Sequence, residues 1–218
     1  MQAAIYYLAD AKNKMEVKIC CENNVLKIEQ EPYKFLTTSS YIEPDIAINA
    51  YKEYTGAFPT ELFIHGRTQF TDEEWAGFNK AIHACQNTNL VGITINETDG
   101  FRLYKDTYGQ KCKYGILRGM ALQIDQNNGY LWTKGYIPRI ETSNHLEVAR
   151  PLKITVSRGD CDIDMVMKDI LCLTKLNYNA CIYGYGLPVA LRFSDKIGNI
   201  LTALKDVHWP ARQFKYYI

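Results

Sequence analysis

The sequence predicts a mixed α/β domain, a sheet covered by helices, on three observations. Short apolar runs separated by polar turns open the chain. Helical and extended patterns then alternate, and two amphipathic stretches close it.

The opening strands are AIYYLA, MEVKICC and VLKIE, divided by polar turns at Asp10–Lys14 and Glu22–Asn24. A helix follows from Glu43, with Pro44 in its first turn, Ala47, Ala50, Tyr51 and Tyr54 as its apolar stripe, and Gly56 to end it. Pro59 leads into the strand ELFIH. The next helix is the most plainly signalled. Thr71 is its N-cap, Glu74 three residues on completes a capping box, and Phe70 with Trp75 forms a hydrophobic staple. Trp75, Phe78, Ile82 and Cys85 keep one of its faces apolar, and LVGITIN (90–96) is a buried strand. YGILRG, MALQID and YLWTKG read as short strands, with Asn127-Asn128-Gly129 as a hairpin turn. A strand from Pro151 precedes a helix from Asp162 to Leu176 whose inward residues are Ile163, Val166, Met167, Ile170 and Leu173 or Thr174. LPVALRF reads as a strand, and the last helix runs from Ser194 on Ile197, Ile200, Leu201 and Leu204. This order is the one expected of an RNase H-like domain, although the pattern alone does not single that fold out.

Composition narrows the function classes. Hydrophobic residues are 47% and charged ones 22%, which describes a globular protein rather than a disordered one. Net charge is +1, so nucleic-acid binding would have to use a local patch and not an overall basic field. No apolar run reaches membrane-spanning length, and the first residues lack a basic start and a small-residue cleavage site, so a cytoplasmic protein is expected. Seven cysteines never form CxxC and the four histidines are scattered. That disfavours zinc and suits free thiols in a reducing compartment.

The acidic residues at element ends are Asp10, Asp160, Asp162, Asp164, Asp169 and Asp195. Such carboxylates could clamp two metal ions for phosphodiester hydrolysis. Asp162 and Asp164 stand in a helix's first turn, where the macrodipole favours them whatever the function, and Asp169 lies on a solvated face. Asp195 follows the expected LPVALRF strand and faces away from the core, so it is the stronger candidate. His65 ends the ELFIH strand with no Ser or Cys nucleophile beside it, and Arg67 could grip a phosphate or cap a turn. Lys175, Asn177, Tyr178 and Asn179 bring donors and a ring to a helix C-terminus, in the style of nucleic-acid backbone recognition. Arg158-Gly159-Asp160 reads RGD, but in a strand-to-helix turn it is no adhesion motif.

ELFIHGRTQFTDEEWAGF, LVGITI, ILRGMALQI, GYLWTKGYIPRIET, ARPLKITVSRGDCDI, DILCLTKLNYNAC and LPVALRFSDKIGNILTA, taken together and in order, resemble the PIWI domain of prokaryotic Argonautes, and in particular the short Argonautes that lack N and PAZ domains. The resemblance covers nearly all of residues 1–218 and implies an RNase H-like mixed sheet flanked by helices. AAIYYLAD resembles the second PIWI strand, so the first strand and the MID domain are expected to lie elsewhere.

Argonautes hold a guide strand by its 5′ phosphate, and active members cut the paired target with a metal-binding Asp-Glu-Asp plus Asp or His tetrad. The resemblance puts His65 where one tetrad aspartate belongs and Asp195 at the fourth position. An imidazole cannot replace a carboxylate that bridges magnesium. The resemblance therefore implies an inactive site and a role in guide-directed recognition of invading DNA. The implied partners are a guide RNA or DNA, a complementary single-stranded DNA target, and an APAZ-containing effector of TIR, sirtuin-like or nuclease type acting in prokaryotic immunity. It further implies Lys175, Asn177, Tyr178 and Asn179 near the guide 5′ end, where the Ile218 carboxylate would help hold Mg2+. His65, Arg67, Lys134, Arg139 and Arg192 are expected along the duplex. The competing expectations are an active metal-dependent nuclease using Asp195, and a scaffold that docks an effector without nucleic acid.

Overall fold

A computed structural model of the chain describes residues 5–9, 18–22, 25–29, 34–38, 51–53, 55–83, 87–103, 115–138, 148–176 and 186–203. The strands are β1 (Ile5–Ala9), β2 (Lys18–Glu22), β3 (Val25–Glu29), β4 (Lys34–Thr38), β5 (Glu61–Gly66), β6 (Asn89–Glu97), β7 (Ala121–Gln123), β8 (Asn128–Leu131) and β9 (Leu152–Arg158). The helices are α1 (Asp72–Ile82), α2 (Ile163–Leu173) and α3 (Val189–Ala203). The sheet is mixed, in the order β2-β3-β4-β1-β5-β6-β9-β8-β7. β1 is antiparallel to both β4 and β5, whereas β5 and β6 run parallel with His65 opposite Ile93. This is the RNase H-like α/β arrangement expected from the sequence, with β4 as a strand that reading had not marked.

The chain divides into two compact units. One comprises Met1–Thr94, Val156–Asp160 and Ala190–Ile218, and the other Ile95–Thr155 and Cys161–Val189. In the first, Leu62, Phe63 and Ile64 of β5 and Leu90, Val91 and Ile93 of β6 are buried on consecutive positions, so both faces of these strands are covered. Each such side chain contributes about 1.5–3 kcal/mol relative to an exposed one. In the second, Ile163, Val166, Met167, Ile170 and Leu173 are the buried stripe of α2, at the spacing a 3.6-residue period requires.

Local signals account for several boundaries. The Thr71 hydroxyl accepts from the Glu74 N–H at 3.2 Å and the Glu74 carboxylate accepts from the Thr71 N–H at 2.9 Å, closing the capping box. Phe70 meets Trp75 with ring centroids 6.1 Å apart, which is the staple. Gly56, at φ 78°, donates to the Lys52 carbonyl at 2.8 Å and follows the helical residues 51–53 and 55 in the left-handed conformation glycine tolerates. The β7–β8 turn lies slightly earlier than expected. The Asp125 carboxylate accepts from the backbone N–H groups of Asn127 and Asn128, both at 2.8 Å, so the turn is Asp-closed and Asn128 already belongs to β8.

LPVALRF is not a strand. It opens α3, with Val189, Ala190, Leu191 and Phe193 buried. A short run that is apolar except for Arg192 is too brief for its periodicity to separate a buried strand from a buried helix. Pro188, directly before α3, suits a helix start because its missing N–H has no helical partner to lose there. Among the described residues no helix is long and apolar enough to cross a membrane.

Candidate nucleic-acid interface at the mouth of β5

β5 delivers His65 into the interior and Arg67 to the surface. His65 is 2% exposed, and burial pushes its pKa down to about 4, so the imidazole is neutral at pH 7. After Gly66 the chain turns out of the sheet under tight local control. The Phe70 ring lies over β5 and β6 so closely that a Cβ on Gly66 or on Gly92 would meet it at 3.0 Å. That close approach is the reason both strands carry glycine there. Arg158, the last residue of β9, donates to the Phe70 carbonyl at 3.0 Å and pairs with Asp72. Thr94 donates to the Ser157 hydroxyl at 3.2 Å and Ser157 to the Gly92 carbonyl at 3.0 Å, tying β6 to β9 beside the turn.

Arg67 reaches α3. Its Nη2 donates to Asp195 Oδ2 at 2.6 Å, with the two side chains 33% and 42% exposed. The expected setting of Asp195 needs correcting. Asp195 does not stand in a helix's first turn after a strand; it lies well inside α3, so the macrodipole gives it no support. One of the Arg67 donors is engaged by that carboxylate. Arg192 lies three residues before Asp195 on α3 and is half-buried.

The remaining candidates fall in different surroundings. Lys134 pairs with Glu97 at 3.4 Å, with both side chains largely exposed, an arrangement worth little in water. Its stem crosses Gly186, where a Cβ would come within 2.2 Å of Cε. Lys175 is exposed just beyond α2 and its N–H donates to the Cys172 carbonyl at 2.9 Å. The half-buried Arg118 was not singled out from the sequence. It donates to Thr174 Oγ1 at 3.0 Å and thereby helps close the C-terminal end of α2. Arg158 was likewise missed, read only as part of a turn. Neither had a local signal, because their partners are remote in sequence.

Asp162 is the N-cap of α2, accepting from the Asp164 N–H at 3.0 Å, and Asp164 pairs with Lys168 one turn on. Both do the structural work their positions suggested. Asp160 contributes its carbonyl to Asn89. Among the described residues no group of three or more His, Cys, Asp or Glu side chains converges as a metal site. At the β5 mouth a neutral buried imidazole and a guanidinium-bound carboxylate do not make the oxygen-rich donor set Mg2+ requires. Asp10, Arg139, Asn177, Tyr178, Asn179 and Ile218 lie outside the described residues.

No family model matches the chain. The protein argonaute of Aquifex aeolicus is 26% identical over 118 residues, which is 46% of this chain and 17% of that protein. The structure of Clostridium butyricum Argonaute bound to a guide DNA and a 19-mer target DNA superposes on 94% of this chain and 28% of that one, with a TM-score of 0.57 at 14% identity. The fold is that of an Argonaute PIWI-like domain. Marinitoga piezophila Argonaute, in complex with 5′ OH guide RNA, shares this fold over 79% of this chain and 22% of that one, at TM-score 0.51 and 17% identity. Aa-Ago with externally bound siRNA shares it over 95% and 28%, at TM-score 0.52 and 17% identity. The chain thus spans roughly a quarter of the Argonaute structures it matches.

Proposed function

We propose that this chain is the PIWI-like part of a guide-binding protein that holds a guide–target duplex by its backbone and does not cut it. The observation that carries the proposal is the Arg67–Asp195 pair beside a buried, neutral His65. Two-metal hydrolysis needs several carboxylates free to face the ions. Asp195, which the resemblance puts at the fourth tetrad position, is paired with a guanidinium, and His65, which it puts in place of a tetrad aspartate, is neutral.

The likeness to Argonautes solved with guide DNA and target DNA, and with guide RNA, supports a nucleic-acid duplex as the ligand and leaves RNA and DNA guides both within the proposal. Base pairing would read the sequence, with the protein sensing backbone shape and phosphate. The candidates for that contact are Arg67, Lys134, Arg139 and Arg192, with His65 supporting the strand mouth from within. Lys175, Asn177, Tyr178, Asn179 and the Ile218 carboxylate, with Mg2+, are the candidates for the guide 5′ end. The resemblance to short Argonautes supports a further step in which target recognition activates an APAZ-containing effector against invading DNA.

The test is a cleavage assay with a 5′-phosphorylated guide and labelled complementary target, in Mg2+ and in Mn2+. The expected result is retention of the target, uncut. Cleavage that disappears in Asp195→Ala would establish the active-nuclease reading and overturn this one. Failure to retain any guide or duplex would favour a scaffold that has lost nucleic acid.

A further inference from the structure

We infer that Asp195 is a positioning residue that aims Arg67 at a backbone phosphate, so that the cation facing the nucleic acid at the β5 mouth is the guanidinium itself. The inference rests on the duplex-binding function proposed above and adds the manner of the contact.

Three features of the first unit carry it. Arg67 offers five N–H donors in a fixed fork, and among the described residues one nitrogen, Nη2, is engaged, by Asp195. The side chain remains 33% exposed, so the other donors face the solvent that a phosphodiester would replace. The turn that carries Arg67 is held by the Phe70 ring against Gly66 and Gly92 and by Arg158 on the Phe70 carbonyl, which limits the backbone motion binding would have to arrest. Fixing one side of a guanidinium with a carboxylate leaves its other edge oriented for a two-point contact to phosphate oxygens.

A purely structural ion pair accounts for less of this arrangement. Pairs exposed to this degree contribute little to stability in water. The arrangement also orients a charge at a strand mouth, where the buried His65 can offer none.

The experiment measures binding of a 5′-phosphorylated guide annealed to its complement, as log K against log salt, in Mg2+ and again in EDTA. Arg67→Ala should lower the salt slope by about one unit, equally in both buffers. Asp195→Ala should bind several-fold more weakly than the unaltered chain, although it removes a negative charge. Asp195→Asn, which keeps an acceptor oxygen, should recover that binding. The exchange of both residues, Arg67→Asp with Asp195→Arg, should restore the melting temperature but not the slope. An unchanged slope in Arg67→Ala, or Asp195→Ala binding as tightly as Asp195→Asn, overturns the inference and leaves the proposed function standing. No binding of the duplex by the unaltered chain overturns both.

Discussion

Asp162 and Asp195 were both read from the sequence as acidic residues at the start of a helix, with Asp195 the stronger candidate for a site. In the structure they do opposite things. Asp162 caps α2 through the backbone N–H of Asp164, two residues away, a bond the helix needs whatever the protein does. Asp195 caps nothing. It lies inside α3 and holds a guanidinium from the far side of the sequence, 128 residues distant. The difference separates an acid explained by its own helix from one explained only by its partner. The two should also fail differently when removed.

The largest effect is expected at the neighbour of that pair. His65→Asp places a carboxylate at a 2% exposed position, and should cost about 3–5 kcal/mol at pH 7 in urea unfolding. A well-tolerated aspartate would mean that the β5 mouth can still house a metal-binding acid, and would break the contrast drawn here.

Next comes pH. The unfolded chain protonates its histidine near 6.5, while the folded chain holds His65 neutral down to about 4. The unfolded state therefore binds the extra proton first as pH falls. Stability from this group is complete above pH 6.5, declines through the window from 6.5 to 4, and amounts to about 3 kcal/mol at most. Unfolding midpoints across that window should fall in the unaltered chain and lose most of this slope in His65→Leu.

The smallest effects compare the two aspartates directly. Asp162→Ala should lose about 1 kcal/mol of stability, as an N-cap deletion does, with nucleic-acid binding unaltered. Asp195→Ala should lose less than about 0.5 kcal/mol, since its ion pair is well solvated, yet weaken binding. Parallel melting and binding measurements on both variants check the pattern, and a reversal of the two rankings would undo it.

Much of the fold was legible because its causes are local. Thr71, Glu74, Phe70 and Trp75 lie within six consecutive residues, so cap and staple can be read without knowing what α1 packs against. The stripe Ile163, Val166, Met167, Ile170 and Leu173 shows its period in the sequence and buries as that period requires. LPVALRF failed because a short, mostly apolar run broken only by Arg192 shows no decisive period. Reading it as a strand also put Asp195 in the wrong setting. The site was legible in its residue types and illegible in its pairing: His65, Arg67 and Asp195 could be singled out, but nothing near Arg67 names Asp195 as its partner.

The sequence by itself determined the cap and staple of α1 and the apolar stripe of α2, because those depend on interactions spanning a few residues. Tertiary structure decided that Gly66 and Gly92 must make room for one phenylalanine ring, that His65 is sealed from water and neutral, and that Arg67 and Asp195 meet. Burial and ion pairing depend on what the folded chain brings alongside a residue, and in this chain those neighbours come from strands and helices far apart in sequence.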